Sequence, residues 1–515
     1  MKRINILFIA LLALITVSCD SFLDETPDNR AEVDSQLKIR KLLVSAYSTG
    51  NYALVTEVSS DNVDDNGKSN PNTTRFYEQI ANWEDITEVE NDDPKTIWEG
   101  AYGAIAHSNE ALAAIAELGE AELAAEKGEA LITRAYNHFI LVNVFCQHYN
   151  TGSSSSDLGI PYMETSETTL NPQYERGTVK DVYEKINTDI EAALPLISDD
   201  IYEVNAYHFT KKAAYAFAAR FNLYYEKWAK AKEYASKVVT DNPSTQLRDW
   251  AALGALPRQP DPVTNAYIND AANLLAATSG SNIGLYFGAY YHGSRYNHSR
   301  KIADEQTLLA PLPFGGISGS DYNFGPFVYA GTNLDKTLFY KIPFLFEYTD
   351  PVAGIGYRRS VMIPFTTDET LLVRAEAKAM LGENDAALAD LNAWSSNFFK
   401  GNEATLTQVN DFYSNLPFSS EVSASQKKRL SPKFTLATGT QENLIHYVLQ
   451  CRRVLTLHEG LRWFDIKRYG IEVPRYQIQA DGTSTVIDVL EVEDLRKAIQ
   501  IPQDVVSAGF EANPR

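Results

Sequence analysis

The sequence of 515 residues is poor in cysteine, which excludes a fold held together by disulfide bonds. It has 3 cysteines, far fewer than a disulfide-stabilised scaffold of this length would use. Cys146 and Cys451 lie within apolar helical patterns, which predicts two buried thiols in a hydrophobic core. Cys19 stands apart, close to the N-terminus.

Long apolar runs and positive charge are also scarce. The apolar run from Ile6 to Leu14 is much shorter than the ~20 residues that cross a bilayer as a helix. The net charge of −21 opposes binding to nucleic-acid phosphates and to anionic lipid surfaces. We therefore expect neither a transmembrane helix nor a nucleic-acid partner.

The first residues have the pattern of an export signal. Lys2 and Arg3 precede the short apolar run, and small residues lead to Cys19. Cleavage before Cys19 would leave a terminal cysteine for acylation, as at a bacterial lipobox, although Thr16 stands where that pattern prefers leucine. We predict a signal peptide over residues 1–18 and a lipid anchor on Cys19 that tethers the protein to a membrane. An ordinary secretory signal with an incidental cysteine is the alternative.

Apolar residues recur at helical spacing in both halves of the chain. The predicted helices cover residues 94–118, 127–149, 178–193, 210–225, 228–238, 371–381 and 386–394. Short polar gaps between successive helices predict helical hairpins, and alanines at facing positions permit close packing, as in tetratricopeptide pairs. We predict a mostly α fold of divergent tetratricopeptide-like hairpins, with other stacked hairpins as the alternative.

Residues 59–83 and 265–360 differ from the helical blocks, because they are rich in Asn, Asp, Gly, Ser and aromatic residues. This composition predicts long loops with a few short strands, and loops of such length are often functional. No Pro- or Ser-rich linker interrupts the chain. Residues 19–515 are therefore predicted to form one body, with parts over about 20–240 and about 265–515.

The C-terminal segment RRVLTLHEGLRWFDIKRYG, residues 452–470, resembles the closing signature of the SusD/RagB family. His458 is a small departure from that pattern. Agreement continues through the chain in the expected order, at residues 18–27, 98–109, 134–136, 212–224 and 495–514. The chain is identified as similar to this family over nearly its whole length. The resemblance implies a helical SusD-like superhelix, a lipid-anchored position on the outer-membrane surface, and a SusC-like TonB-dependent barrel as partner.

Charged residues in the signature have a structural interpretation of their own. Arg452, Arg453 and Arg462 lie at helical spacing from Glu459 and Asp465, so charge-assisted hydrogen bonds are expected among them. We interpret this cluster as scaffold rather than as a catalytic site.

The sequence patterns that come nearest to catalytic and metal-binding motifs are incomplete. His458 and Glu459 lack the second histidine of a zinc-protease motif, and residues 316–320 fall one glycine short of a nucleophile elbow. The segment Asn62–Gly67 resembles the start of a calcium loop, but Thr73 cannot supply the closing bidentate carboxylate. We expect no enzyme activity, no cofactor and no metal.

Aromatic residues in the loops are the predicted ligand contacts. An oligosaccharide needs exposed rings for its C–H faces and hydrogen-bonding side chains for its hydroxyl groups. The predicted contacts are Arg75, Tyr77, Trp83, Tyr290, Tyr291, Tyr296 and Tyr322, within clusters that also contain Phe76, Tyr286, Arg295 and Phe324. We expect these clusters to converge on one exposed, shallow site. Burial of the rings beneath the loops is the alternative.

The predicted function is capture of an oligosaccharide at the cell surface and its delivery to a SusC-like barrel. Two alternatives stay open. RagB-like relatives serve peptide import, so the same loops could hold an extended peptide. The protein could also act as a mechanical lid on the barrel with little ligand affinity of its own.

Overall fold

Helices are the predominant regular structure of the described residues, as the apolar spacing predicts. The computed structural model describes residues 33–167, 172, 174–288, 293–329, 336–420 and 423–515. The predicted signal peptide, the predicted lipid attachment at Cys19, and Tyr290 and Tyr291 lie outside the described residues.

The elements alternate between helical blocks and short strands. The helices are α1 (Gln36–Leu43), α2 (Ala53–Ser59), α3 (Arg75–Ala81), α4 (Pro94–Leu118), α5 (Ala124–Phe145), α6 (Val179–Ala193), α7 (Lys211–Tyr224), α8 (Trp228–Val238), α9 (Trp250–Ala255), α10 (Pro260–Ile268), α11 (Ile283–Phe287), α12 (Arg300–Glu305), α13 (Thr367–Met380), α14 (Asn384–Phe398), α15 (Leu406–Asn415), α16 (Thr440–Leu455), α17 (Arg462–Arg468) and α18 (Gln503–Ser507). The strands are β1 (Asp64–Asp65), β2 (Asn273–Gly280), β3 (Tyr296–Asn297), β4 (Phe327–Tyr329), β5 (Lys336–Leu338), β6 (Leu345–Asp350), β7 (Ile355–Thr366), β8 (Val473–Ile478) and β9 (Ser484–Leu490).

Local capping signals start several of the long helices. Thr178 forms a capping box with Asp181 at the start of α6, and Thr210 accepts a hydrogen bond from the Ala213 amide at the start of α7. Asp93 caps α4, where Pro94 occupies the first turn and needs no amide partner. These caps satisfy backbone N–H groups that have no partner within the helix, and they confirm the predicted start points.

Successive helices pack side by side, which confirms a mostly α fold of stacked pairs. The packed pairs are α4 with α5, α5 with α6, α7 with α8, α8 with α13, α13 with α14, and α13 with α16. Ala219, Ala235 and Ala375 are fully buried in these helices, so small side chains do permit close approach. Leu141 and Leu449, from the two predicted parts of the body, belong to one buried apolar cluster. The boundary between those parts stays a prediction.

The short strands join distant parts of the chain. One sheet has the order β3-β1-β8-β9, and Asp65 in β1 pairs with Tyr296 in β3 and with Gln477 in β8. A second sheet has the order β2-β7-β6, and β4 pairs with β5. The prediction of loops with short strands was incomplete. Residues 59–83 also contain α3, and residues 265–360 contain α11 and α12.

Buried ion pairs connect the signature helices to the rest of the fold. Arg452 bonds Asp465 at 2.9 Å and also bonds Glu376 of α13, while Arg468 Nη2 lies 2.5 Å from Glu376 Oε1. Burial opposes ionisation of Glu376, but the charges of Arg452 and Arg468 outweigh it and lower the pKa of this carboxyl. The pairing predicted for Arg452 and Asp465 is confirmed.

The other signature arginines meet the N-terminal part of the chain. Arg462 binds Asp61 through two bonds of 2.8 and 2.9 Å, and Arg453 donates to the Asn62 side chain at 2.8 Å. Burial opposes ionisation of Asp61, yet these two arginines hold its pKa far below the usual range. The predicted pairing of the signature arginines with Glu459 was wrong, because Lys341 bonds that carboxylate at 2.8 Å instead.

Replacing Glu376 with glutamine tests how far the fold depends on this network. Glu376→Gln leaves two buried guanidinium groups facing a neutral amide, so we expect the free energy of unfolding to fall by on the order of 3–5 kcal/mol. Glu383→Gln is the matched control, because the Glu383–Lys232 pair is partly exposed and ion pairs in contact with water contribute about 1 kcal/mol or less. Urea unfolding of both variants gives the two values. Equal losses would contradict a structural role for the buried network.

Candidate functional site

Residues 66–74, which we call the asparagine loop, connect β1 to α3 and lie against the segment Gly293–Asn297. Asn66 donates from its side chain to the Arg295 carbonyl at 2.9 Å. Asn70 and Asn72 donate to the Gly293 carbonyl at 3.1 and 3.0 Å. Side-chain amides thus satisfy backbone groups that no sheet pairs, and they fix this polar surface loop.

A buried carboxylate holds the arginine beneath the asparagine loop. Asp65 accepts two bonds of 2.7 Å from the Arg295 guanidinium and a third of 2.7 Å from Gln477. Burial opposes ionisation of Asp65, but the bonds from Arg295 and Gln477 outweigh it and lower the pKa of the carboxyl. Arg295 also approaches Glu78 to 3.6 Å. This bidentate geometry fixes the guanidinium at the edge of the site.

The two predicted aromatic clusters meet at this place. Tyr77 stacks on Tyr286 with ring centroids 4.2 Å apart and lies 6.2 Å from the Tyr296 ring. All three rings are buried, and burial raises the pKa of Tyr286 and of Tyr296 to about 12. The expected convergence is present for these rings. The expected exposure of their faces was wrong, because burial beneath the loops removes their apolar area from water.

Trp83 and Tyr322 lie in other surroundings. The Trp83 ring is buried, with the Arg475 guanidinium 4.7 Å from its centre and its Nε1 donating to the Ser59 carbonyl at 2.8 Å. Tyr322 packs on Phe399 with centroids 4.8 Å apart and donates to the Leu308 carbonyl. Neither ring offers an open face, so the expectation that they form an exposed platform was wrong.

Arg75 is the predicted contact that the structure places at the surface. Its side chain is 53% exposed and bonds Glu84 at 2.5 Å. Thr74 caps the helix that carries it, by accepting from the Tyr77 amide. Lys68 and Asn72 of the asparagine loop are exposed as well. Ligand contact by any of the predicted residues stays a prediction.

The carboxylates of the calcium-like segment are engaged within the protein. Asp64 accepts from the Ser299 hydroxyl at 2.6 Å, and Asp65 is paired with Arg295. Across the described ranges, no group of three or more His, Cys, Asp or Glu side chains is arranged to hold a metal ion.

Asp92 joins the site to the start of α11. It accepts from the Ser281 hydroxyl at 2.5 Å and from the Asn282 amide at 2.7 Å. Burial raises its pKa to about 7, and the nearby carboxylates Glu90 and Asp93 act in the same direction. The folded protein therefore binds this proton more tightly than the unfolded chain does.

Sequence reasoning missed an exposed aromatic pair, Phe346 and Tyr348, on the hairpin of β6 and β7. Alternation of aromatic and polar residues over 346–349 was the signal that could have revealed it. It was assigned only to a region of loops with short strands.

A second concave surface lies along α4. This open cavity of about 750 Å³ is lined by Trp98, Tyr102, Ile105, Met163 and Phe510, among others. Its size and apolar lining suit a ligand or a chain segment. In the same described ranges, no helix combines the length and the apolar character needed to span a membrane.

Comparison with known families finds a similarity in the N-terminal part of the chain. Residues 21–223 match the model of the SusD-like family that is described as starch-binding and associating with the outer membrane. The N-terminal part of the chain is therefore similar to SusD-like proteins. The matched segment contains the asparagine loop and Arg75.

Solved structures agree with this assignment at the level of the fold. A SusD superfamily protein from Bacteroides vulgatus is 20% identical, with a TM-score of 0.60 over 92% of this chain and 97% of that one. A SusD superfamily protein from Bacteroides thetaiotaomicron is 17% identical, with a TM-score of 0.59 over 93% and 99%. A SusD-like carbohydrate binding protein from Bacteroides vulgatus is 16% identical, with a TM-score of 0.59 over 91% and 95%. No curated protein matches the sequence.

Replacing Asp92 with asparagine tests the proton held at the site. The stabilisation from protonated Asp92 is complete below the carboxyl's unfolded pKa of about 4 and is lost as the pH rises to about 7. We expect the stability of wild type relative to Asp92→Asn to fall by about 2–3 kcal/mol from about pH 5 to pH 8. Urea unfolding at both pH values measures this difference. The exposed Asp241→Asn is the control, and an identical pH response of the two variants would refute the assignment.

Proposed function

We propose that this protein is a SusD-like outer-membrane surface lipoprotein, anchored through Cys19, that captures an oligosaccharide and delivers it to a SusC-like TonB-dependent barrel. The observation that carries the proposal is the match of residues 21–223 to a starch-binding, outer-membrane-associated family. That segment contains both the asparagine loop and Arg75, which form the polar surface above Asp65 and Arg295.

The chemistry of this surface supports binding of a neutral sugar chain. Hydroxyl groups need both donors and acceptors, and Asn72, Arg75 and Glu78 supply them at the edge of the asparagine loop. Sugar C–H faces need aromatic rings, for which Tyr290 and Tyr291 are our candidates. Both follow Gly288 and precede Gly293 in the sequence, and Gly293 is the residue that accepts from the asparagine loop.

We propose binding without bond cleavage. Asp65, the carboxylate beneath the asparagine loop, is fully engaged, mainly by Arg295 and Gln477. A carboxylate that has a lowered pKa and accepts four hydrogen bonds, including one from the Gly67 amide, is poorly suited to act as a general acid. The ligand is therefore released chemically unchanged to the barrel.

The site is tested by removing its exposed polar side chains. For the double variant Asn72→Ala/Arg75→Ala we expect affinity for a bound polysaccharide to fall roughly 10-fold or more, since two hydrogen-bonding groups are lost. Affinity gel electrophoresis of the full-length chain with starch, inulin, xylan and mucin glycans measures retardation. Arg40→Ala, which removes a half-exposed arginine paired with Glu126, is the control.

The possible outcomes separate the candidate functions. No retardation of wild type by any polysaccharide, together with binding of mixed peptides, would favour peptide capture. Absence of binding to both polysaccharides and peptides, together with stable copurification of a barrel, would favour a mechanical lid. Equal affinity of the double variant and wild type would remove these two residues from the site.

The lipid anchor is tested separately. We expect Cys19→Ser to abolish incorporation of labelled palmitate and to release the protein from the membrane fraction of a Gram-negative host, because the acyl chains supply the membrane affinity. Cys146→Ser is the control, since that thiol is buried in the fold. Labelling that persists in Cys19→Ser would contradict the anchor.

A further inference from the structure

The hairpin of β6 and β7 exposes a cluster of large apolar side chains that lies outside the asparagine-loop site. Phe346 is 40% exposed and Tyr348 58% exposed, and Val352, Ile355 and Tyr357 are exposed nearby. Large apolar side chains clustered on one exposed element are a frequent mark of a binding surface. The whole chain is strongly acidic, but on the hairpin the negative charge of Glu347 is balanced by Arg359, which bonds it at 2.6 Å.

The strand register places the two rings on one face. Phe346 lies opposite Arg358 and Tyr348 lies opposite Gly356, so these four residues share a face of the hairpin. A Cβ on Gly356 would come within 2.7 Å of the Phe346 ring, so glycine permits that ring to lie across the neighbouring strand. The two ring centroids are 4.9 Å apart, with their planes inclined at 65°.

An arginine lies on the strand next to the rings. Arg358 is opposite Phe346 in the strand register, and its guanidinium donates to the Asn282 side chain at 3.2 Å. Exposed rings with an arginine on the neighbouring strand combine the two features that a sugar ring needs, an apolar surface and a hydrogen-bonding group nearby. Val352 and Ile355, in contrast, lie at and beside the turn.

The hairpin face is joined to the asparagine-loop site. Just before β6, Pro343 and Phe344 pack so closely on Gly284 of α11 that a Cβ there would approach the Pro343 carbonyl oxygen to 2.3 Å. The same helix carries Tyr286, which stacks on Tyr77. A single short helix thus supports both surfaces.

We propose that Phe346 and Tyr348 form an accessory glycan-binding platform, which holds a second part of the same neutral sugar chain that occupies the asparagine-loop site. This inference rests on the proposed function. It predicts that long oligosaccharides contact both surfaces and that short ones need only the first.

Two double variants of the hairpin test the platform. Phe346→Ala/Tyr348→Ala removes the rings, and Val352→Ser/Ile355→Ser removes apolar surface of similar exposure that lies outside the platform. The probe is whichever polysaccharide retards the full-length wild type in affinity gels, together with its oligosaccharides of two and eight units for calorimetry. We expect the ring variant to lose roughly 10-fold in affinity for the longer oligosaccharide and little for the shorter one, while the serine variant resembles wild type.

Each result decides between the claims. Unchanged affinity of the ring variant for the longer oligosaccharide would overturn the platform and leave the proposed function standing. Equal losses of affinity in both hairpin variants would also overturn it. Sugar binding by the platform depends on the rings, whereas a surface that docks a protein would use the aliphatic residues too. If no polysaccharide binds wild type, both the platform and the proposed function fall. Thermal unfolding checks that both variants remain folded.

Discussion

The burial of Asp61 against Arg453 and Arg462 is the contact on which the arrangement of this protein depends. The Asp61–Arg462 pair joins residues 401 positions apart in the sequence. Removing two charges from water costs several kcal/mol per ion, and only close, well-directed hydrogen bonds offset that cost. The pair is therefore satisfied only when the N-terminal segment and the C-terminal signature are correctly placed against each other.

This contact has consequences for the site. Asp61 lies just before β1, and the signature helix α17 lies just before β8, so the ion pair holds together the segments that lead into these two paired strands. Asp65 in β1 is then in position to receive both Gln477 of β8 and Arg295. A polar surface loop and a buried scaffold are in this way parts of one hydrogen-bonded network, which also includes the Asn62 side chain bonded to Arg453.

The sequence was informative where structure is decided locally and misleading where it is decided by distant packing. Thr178 and Thr210 mark helix starts because a cap involves only the next few residues, and the apolar spacing of Pro94–Leu118 predicted that helix over its whole length. Helix α3 was not predicted, because it has only seven residues between polar segments. So short a helix does not show a recognisable apolar repeat. The burial of Tyr77 and Tyr296 depends on partners more than 200 residues away in the sequence, which a reading of local composition does not reveal. The apolar spacing and the resemblance to SusD-like proteins predicted a helical fold, whereas the exposure of each ring had to be seen in the structure.

The asparagine loop and the Gly293–Asn297 segment hold each other in place through hydrogen bonds from side-chain amides to backbone carbonyls. Asp65, which directly precedes the loop, adds an ion pair with Arg295, 230 positions away in the sequence. Such mutual support means that neither segment can change length or composition independently without leaving amides and carbonyls of the other unsatisfied. Evolution of a new specificity on this scaffold is therefore expected to proceed by paired replacement of both segments. An engineer who grafts loops between relatives would have to move the two together.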